Sequence, residues 1–336
     1  MAMAAPNRRR RPHGGVWTGL AGLALTGVAG LLFLSFREPP LPELAPIEVG
    51  WEPVLPVQGH LFLIRVAAPG VDGLVSATGE AGGEELHFQS AGPVPATNGA
   101  ASAEEPTSAD EATPAHTVLA SLAPVPIGAT DSIDAWVTAS YADGRTQTDS
   151  VRIAIVEGEY EHERLTVAPR FGSPLNEEDQ ARLRQDQAKA NQVAREAHAA
   201  PRLWSPEVVL PRDSRVTSGF GNGREFNGQI SSRHMGLDLA GLPGDTVRAA
   251  ADGVVALVDG FLLAGNIVYL NHGGGLLSGY FHLSEQLVAT GDTVKAGTPI
   301  GRVGATGRVT GPHLHWVVRY GTTSVDPRSL LALSGN

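Results

Sequence analysis

The spacing of hydrophobic and polar positions changes repeatedly along this chain, and each change marks a different element. Gly14 to Phe36 is 23 residues without a charged side chain. As a helix this run reaches roughly 34 Å, enough to cross the hydrocarbon core of a bilayer. The basic cluster Arg8 to Arg11 precedes it, and positive residues stay on the cytoplasmic side, so the rest of the chain is expected outside. The run is longer than the apolar part of a signal peptide, and Leu34-Ser35-Phe36-Arg37 offers no small-x-small cleavage site. The expectation is an uncleaved signal anchor over 14–36, with a cleaved signal peptide as the alternative. Residues 1–13 then form a cytoplasmic basic segment. Residues 37–46, with Pro39, Pro40, Pro42 and Pro46, form an extended spacer.

From 47 to 157 the period shortens to two. Leu61-Phe62-Leu63-Ile64-Arg65-Val66, Ile133-Asp134-Ala135-Trp136-Val137 and Val151-Arg152-Ile153-Ala154-Ile155-Val156 alternate or burst, with turns such as Ala142-Asp143-Gly144 between them. Strands at this spacing predict a small, immunoglobulin-like β-sandwich. Residues 90–116 interrupt it with an Ala/Pro/Glu/Ser/Thr-rich stretch that lacks large apolar residues, read as a disordered insertion. Residues 158–203 read as a linker containing a helix. Asn176-Glu177-Glu178-Asp179 opens it with acidic residues in the first turn, Ala, Arg and Gln continue it to about Ala199, and Pro201 stops it. Leu183 is one of its few apolar anchors and there is no a/d stripe, so the helix is a spacer or a strap, not a coiled coil. From 204 to 333 strands return, at Val247–Ala249, Gly253–Val258, Asn266–Leu270, Leu276–His282 and His313–Arg319, with a hairpin signal at Gly273-Gly274-Gly275.

Composition agrees with a mainly β chain. There are 41 Gly and 24 Pro with only 6% aromatics, which favours short strands and many turns. A net charge of −10 excludes nucleic acid as the main partner, because no basic surface is left to neutralise phosphates. The chain has no cysteine. That removes disulfides, thiolate metal sites and cysteine nucleophiles together.

The chemistry lies in the histidines of the last segment. His234-x-x-x-Asp238 and His313-Leu314-His315 lie roughly 80 residues apart and offer imidazoles and a carboxylate, the donor types of a catalytic zinc site with three protein ligands and one open position. His234-x-x-x-Asp238 alone is weak, because four-residue spacing has many ordinary causes. His313-x-His315 is stronger, since paired histidines on one strand face rarely serve packing. In extended chain, residues two or four apart share a face. His234 with Asp238, Tyr280 with His282, and His313 with His315 are therefore expected to lay a polar stripe across one sheet. Burying so many imidazoles without a metal or a carboxylate network is costly. His272 precedes a glycine turn and reads as a turn-capping or supporting residue, and His60 and His87 as ordinary surface or strand-end histidines.

In order, the chain presents Ser218-Gly219-Phe220-Gly221, His234-x-Gly-x-Asp238, Gly253 leading a strand, Tyr280-Phe281-His282-Leu283, Gly291-Asp292-x-Val294-x-x-Gly297, Thr310-Gly311-Pro312-His313-Leu314-His315 and Asp326-Pro327. This series, over about residues 205–330, resembles the M23 zinc metallopeptidases, the LytM or lysostaphin-type peptidoglycan endopeptidases. The resemblance implies a C-terminal antiparallel β-sheet peptidase domain with a groove across the sheet. It implies one zinc ion on His234, Asp238 and His315, with His282 and His313 as an unligated catalytic pair. The substrate would be the peptide cross-links or stems of peptidoglycan, cut in the periplasm by an enzyme held in the cytoplasmic membrane. Some relatives have lost ligands and activate amidases, so a non-catalytic wall-binding or amidase-activating module is the alternative. Here all five positions are filled. Gly291-Asp292-Thr293-Val294-Lys295-Ala296-Gly297 also resembles the hairpin of lipoyl-type carrier domains, but Lys295 lacks their context and the histidines would go unexplained.

Overall fold

The computed structural model describes residues 43–69, 73–94, 116–205 and 207–334. The expected anchor at 14–36 and the segments around it, up to residue 42, lie outside the described residues. Among those described, no helix is long and apolar enough to cross a membrane.

The first half is a sandwich of two four-stranded antiparallel sheets. One joins β1 (Glu48–Glu52), β2 (Leu61–Ala67), β6 (His116–Pro124) and β5 (Gln89–Val94) in that order; the other joins β4 (Glu84–Glu85), β3 (Leu74–Ala81), β7 (Ser132–Tyr141) and β8 (Thr146–Ala154). Alternation in β7 sends Ile133, Ala135, Val137, Ala139 and Tyr141 inward, where they meet Phe62, Ile64 and Val66 of β2 in one core. The stretch expected to be an insertion is strand at both ends, since β5 runs to Val94 and β6 begins at His116. Residues 95–115 lie outside the described ones.

Residues 158–203, expected as a linker, are built into the second half. β9 (His162–Leu165) pairs in parallel with β11 (Gly223–Phe226), which pairs antiparallel with β12 (Ile230–Arg233). Helix α1 (Glu177–Ala199) starts as the sequence predicts, with the Asn176 side chain accepting from the Asp179 N–H. It is a strap. Its small residues Ala190, Val193, Ala194 and Ala197, more than the half-buried Leu183, press on Phe261, Ile267, Tyr269, Leu277, Phe281 and Val317 of the large sheet. Small side chains let the helix sit close to the strands.

That sheet has ten strands. Its path runs β10 (Val216–Ser218), β13 (Leu237–Ala240), β20 (His313–Tyr320), β17 (Leu276–Gln286), β16 (Gly265–Gly273), β15 (Gly253–Phe261) and β18 (Thr293–Val294). Off the path, β14 (Thr246–Arg248) pairs with β19 (Pro299–Val303), which also pairs with β17, and β21 (Thr323–Val325) pairs with β20. The main core lies on the face away from α1, around Leu237, Leu239, Tyr280, Leu314 and Trp316. The chain closes with α2 (Pro327–Leu333), capped by Asp326. Here the two halves join. The Leu61 N–H donates to Ser329 Oγ at 3.0 Å, and the Asp326 N–H to the Gly59 carbonyl at 2.7 Å. His60, expected as a surface or strand-end histidine, directly precedes β2 and lies half-buried 3.7 Å from Asp326.

Candidate metal centre

Asp238 on β13 stands opposite His315 on β20, and His315 opposite Phe281 on β17. Directly paired residues share a sheet face. The side chains therefore point to the face that α1 covers further along. His313, two residues before His315, shares it.

His234 arrives by a different route from the one expected. It is not on a strand with Asp238: β12 ends at Arg233, residues 234–236 turn, and β13 begins at Leu237. Gly236 makes this possible, because a Cβ there would lie 2.6 Å from His315 Cε1 and 2.7 Å from the Trp316 carbonyl. The loop Ser218-Gly219-Phe220-Gly221 holds the histidine. The Gly221 N–H donates to the His234 carbonyl, the His234 N–H to the Asn222 carbonyl, and Gly219 O lies 2.6 Å from His234 Nδ1.

His282 also departs from expectation. Strict alternation would put it on the face of Tyr280, but Tyr280 is fully buried in the core on the far side, opposite Trp316. His282 adopts φ 62°, and between its partners Leu283 and Tyr280 strand β17 carries one residue more than β16. This bulge, in a conformation that L-residues seldom adopt, turns His282 back to the other side. There its ring centroid lies 5.0 Å from that of His313 and 5.8 Å from that of His315.

Three donor atoms converge. His315 Nδ1 is 2.7 Å from Asp238 Oδ1, His234 Nε2 is 3.0 Å from the same oxygen, and the two ring nitrogens are 2.9 Å apart. His234 is 2% exposed and Asp238 5%. With its Nδ1–H on Gly219 O, a neutral His234 turns only a lone pair toward the other two atoms. Crowded lone pairs on a buried carboxylate and imidazoles attract a cation. The titration pattern matches. Burial works to raise the Asp238 carboxyl, yet hydrogen bonds and charge from His234 and His315 hold it well below the usual range. His315 is pushed down to about 4, by burial first, against the pull of Asp238. A carboxylate oxygen and two imidazole nitrogens converging on one point are the donor set a divalent metal takes, so His234, Asp238 and His315 fit zinc.

His282 and His313 lie at the edge. His282 Nδ1 is 2.8 Å from the Thr306 carbonyl and His313 Nδ1 2.8 Å from the Gly311 carbonyl, so each ring donates from Nδ1 and keeps Nε2 bare. His313 Nε2 is 3.6 Å from Asp238 Oδ1. Burial, followed by the charges of His315 and His313, pushes His282 down to about 3. Both line a cleft of about 940 Å³, together with Glu163 and Leu165 of β9 and with Arg212, Arg215 and Arg308.

The sequence reading missed the support behind Asp238. Arg224 Nη2 donates to Asp238 Oδ2 and to Ser218 Oγ, while Arg224 Nε donates to Glu163 Oε2 at 2.9 Å. The other Glu163 oxygen accepts from Ser218 Oγ and from Asn222 Nδ2. Glu163 lies on β9, in the stretch read as linker, where no spacing marks it. His272, read as a supporting residue near a turn, is buried behind the sheet and touches none of the donor atoms.

Residues 232–327 match the family model described as Peptidase family M23. A 118-residue stretch is 41% identical to the peptidoglycan DD-endopeptidase ShyC of Vibrio cholerae, covering 34% of this chain and 27% of that protein. A 117-residue stretch is 39% identical to the DD-carboxypeptidase/endopeptidase Mpg of Neisseria meningitidis, covering 35% of this chain and 27% of that one. Each match thus spans 27% of the relative's length. A crystal structure of an M23 peptidase from Pseudomonas aeruginosa aligns with a TM-score of 0.57 at 22% identity, over 83% of this chain and 96% of that one. That likeness is one of fold, and it extends well beyond residues 232–327.

Proposed function

Because residues 232–327 match the model of peptidase family M23, we propose that this chain is a zinc-dependent endopeptidase that hydrolyses peptide cross-links or stems of peptidoglycan. The observation that carries the reading is the meeting of His234 Nε2, Asp238 Oδ1 and His315 Nδ1 within 3.0 Å of one another, beside two more imidazoles that line an open cleft. One zinc ion held by these three residues supplies Lewis acidity, which acidifies water and polarises a carbonyl. The chain's own part is proton handling. His282 and His313 anchor their Nδ1–H groups to Thr306 and Gly311, leaving Nε2 of each free to accept a proton. One ring takes the proton of the attacking water on its Nε2 and, once protonated there, can donate to the oxyanion of the tetrahedral intermediate or hand the proton to the leaving nitrogen. Arg224 and Glu163 hold Asp238 so that its Oδ1 stays aimed at the two imidazoles.

The cleft and the relatives support the substrate class. Peptidoglycan stems carry free carboxylates. Arg308 lies on the cleft wall with its guanidinium 4.1 Å from the centre of the Phe226 ring, and no ion pair among the described residues engages it. ShyC is by name a peptidoglycan DD-endopeptidase, and Mpg a DD-carboxypeptidase/endopeptidase. The charge-free run from Gly14 to Phe36 behind an arginine cluster supports a single-pass anchor in the cytoplasmic membrane with the domain in the periplasm. The test is digestion of purified, cross-linked muropeptides of defined linkage by the zinc-loaded chain. One bond type should be cut, with the mass of one water added per cut. A zinc-loaded chain that binds these muropeptides and opens none of them would instead be a wall-binding or activating module.

A further inference from the structure

We propose that Glu85, His87 and His198 form a second site for a divalent cation of the zinc class, at the junction of the sandwich, the α1 strap and the large sheet. One donor atom from each of the three lies within 4.8 Å of the other two. His87 Nε2 is 2.7 Å from His198 Nδ1, with the rings stacked at 26° and 5.0 Å between centroids. Their positions come from three separate elements. Glu85 is on β4, His87 follows in the loop to β5, and His198 is in the last turn of α1.

The geometry fixes which atom of His198 faces outward. Its Nε2 lies 3.1 Å from Glu84 Oε2. Glu84 is 7% exposed, and its other oxygen accepts from the Thr322 N–H, the Thr322 hydroxyl and the Thr323 hydroxyl at 2.8, 2.8 and 2.9 Å. Glu84 thus holds His198 by Nε2, which leaves Nδ1 as the nitrogen turned toward His87. A carboxylate that holds a histidine by one nitrogen while the other is presented is the arrangement that supports metal-bound imidazoles. Arg319, the cation that feels Glu84 from β20, donates instead to Asn191 and to the Thr322 carbonyl. One carboxylate, that of Glu85, and two imidazoles are thus left facing one point, and no Lys or Arg is ion-paired to Glu85 or Glu84 among the described residues.

The backbone is shaped around this pair. Gly321 and Gly275, at φ 54° and 80°, pass the His198 ring in the turns after β20 and before β17. A Cβ on Gly321 would collide with both His198 Nε2 and Glu84 Oε2, and one on Gly275 would lie 3.0 Å from His198 Cε1. Tetrahedral zinc bonds of about 2.05 Å would set the two nitrogens about 3.3 Å apart, an opening that small ring rotations supply. A cleft of about 290 Å³ beside His87 gives an ion a way in. The bound cation would fasten the β4–β5 corner of the sandwich to the end of the strap that covers the sheet face carrying the first site.

The test is zinc content of the untagged full chain, measured by elemental analysis after dialysis. The native chain should hold two equivalents, His315→Ala one, His87→Ala one, and His87→Ala with His315→Ala none. Added Zn²⁺ should raise the melting temperature of the His315→Ala chain and leave that of the double variant unmoved. Glu85→Gln, on the exposed side of its strand and safe for folding, should weaken uptake by His315→Ala at least about tenfold. The proposal is overturned if His315→Ala takes up no zinc, or if neither His87→Ala nor Glu85→Gln changes what it takes up. A native chain that keeps only the equivalent lost in His87→Ala would remove the catalytic reading and leave this site standing.

Discussion

His315 Nδ1 lies 2.7 Å from Asp238 Oδ1, directly across from it in the register of β13 and β20. One hydrogen-bonded rung of sheet therefore supplies two of the three donor atoms at the proposed catalytic metal, and the loop through Gly236 supplies the third. Removing either rung partner leaves two protein ligands, which hold zinc poorly. His315→Ala should lose one equivalent of zinc and all muropeptide cleavage while keeping its circular-dichroism spectrum. Full zinc occupancy in that variant would contradict the assignment of the ligands.

His282 and His313 are close to the three donor atoms, but each commits Nδ1 to a backbone carbonyl. His282→Ala and His313→Ala should keep the metal and lower turnover by about 10²–10⁴-fold, the range of a general acid–base contribution. Zinc analysis and single-turnover rates on the same preparations separate this from loss of metal. Near-native turnover in either variant would take that residue out of the mechanism.

Arg224 is held on both sides, by Glu163 Oε2 at 2.9 Å and by Asp238 Oδ2. It acts through the ligand it orients. Arg224→Met should weaken zinc affinity about 10–100-fold, the usual cost of removing such a partner. Arg224→Lys keeps the charge but loses the fork that reaches two carboxylates at once, so it should recover only part of the affinity. A purely structural role would show instead as a lower melting temperature with unchanged zinc affinity.

The sequence carried the site better than it carried the path to it. His234, Asp238, His282, His313 and His315 were all legible as candidates, because imidazoles at strand spacing have few packing uses. The rule that residues two apart share a face was sound for His313 and His315. It failed at His282, where a bulge and a left-handed φ override alternation, and at His234, which reaches Asp238 from a loop. Glu163 was invisible. It contributes through a parallel pairing of β9 with β11 across roughly sixty residues, and no local pattern encodes such a pairing. His87 read as an ordinary strand-end histidine because its partner His198 is 111 residues away. The start of α1 was legible from Asn176 and the acidic turn, whereas the face it covers was not, since alanines carry little periodic signal.

His272 makes a prediction about acid stability. It is 1% exposed, with Nδ1 2.7 Å from the Asp252 carbonyl and Nε2 2.7 Å from Ser278 Oγ; the Ser278 and Tyr280 hydroxyls are 2.9 Å apart, and Tyr280 accepts from the Ala250 N–H at 2.8 Å. The Ser278 hydroxyl donates to the Tyr280 oxygen, and the ring is held between the Asp252 carbonyl at Nδ1 and Ser278 at Nε2. Burial pushes the ring down to about 4, from an ordinary value of 6.5. The folded state therefore refuses a proton that the unfolded state accepts below pH 6.5. Stability on this account is undiminished above pH 6.5, falls as the pH drops below it, and stops falling near pH 4. Between pH 6.5 and 5 the loss from this one ring is about 2 kcal/mol. Urea unfolding of the metal-free chain at pH 7 and at pH 5 should show it, and His272→Gln, though less stable at pH 7, should lose less between the two. Equal acid sensitivity in the native chain and the variant would mean that His272 does not titrate as its burial requires.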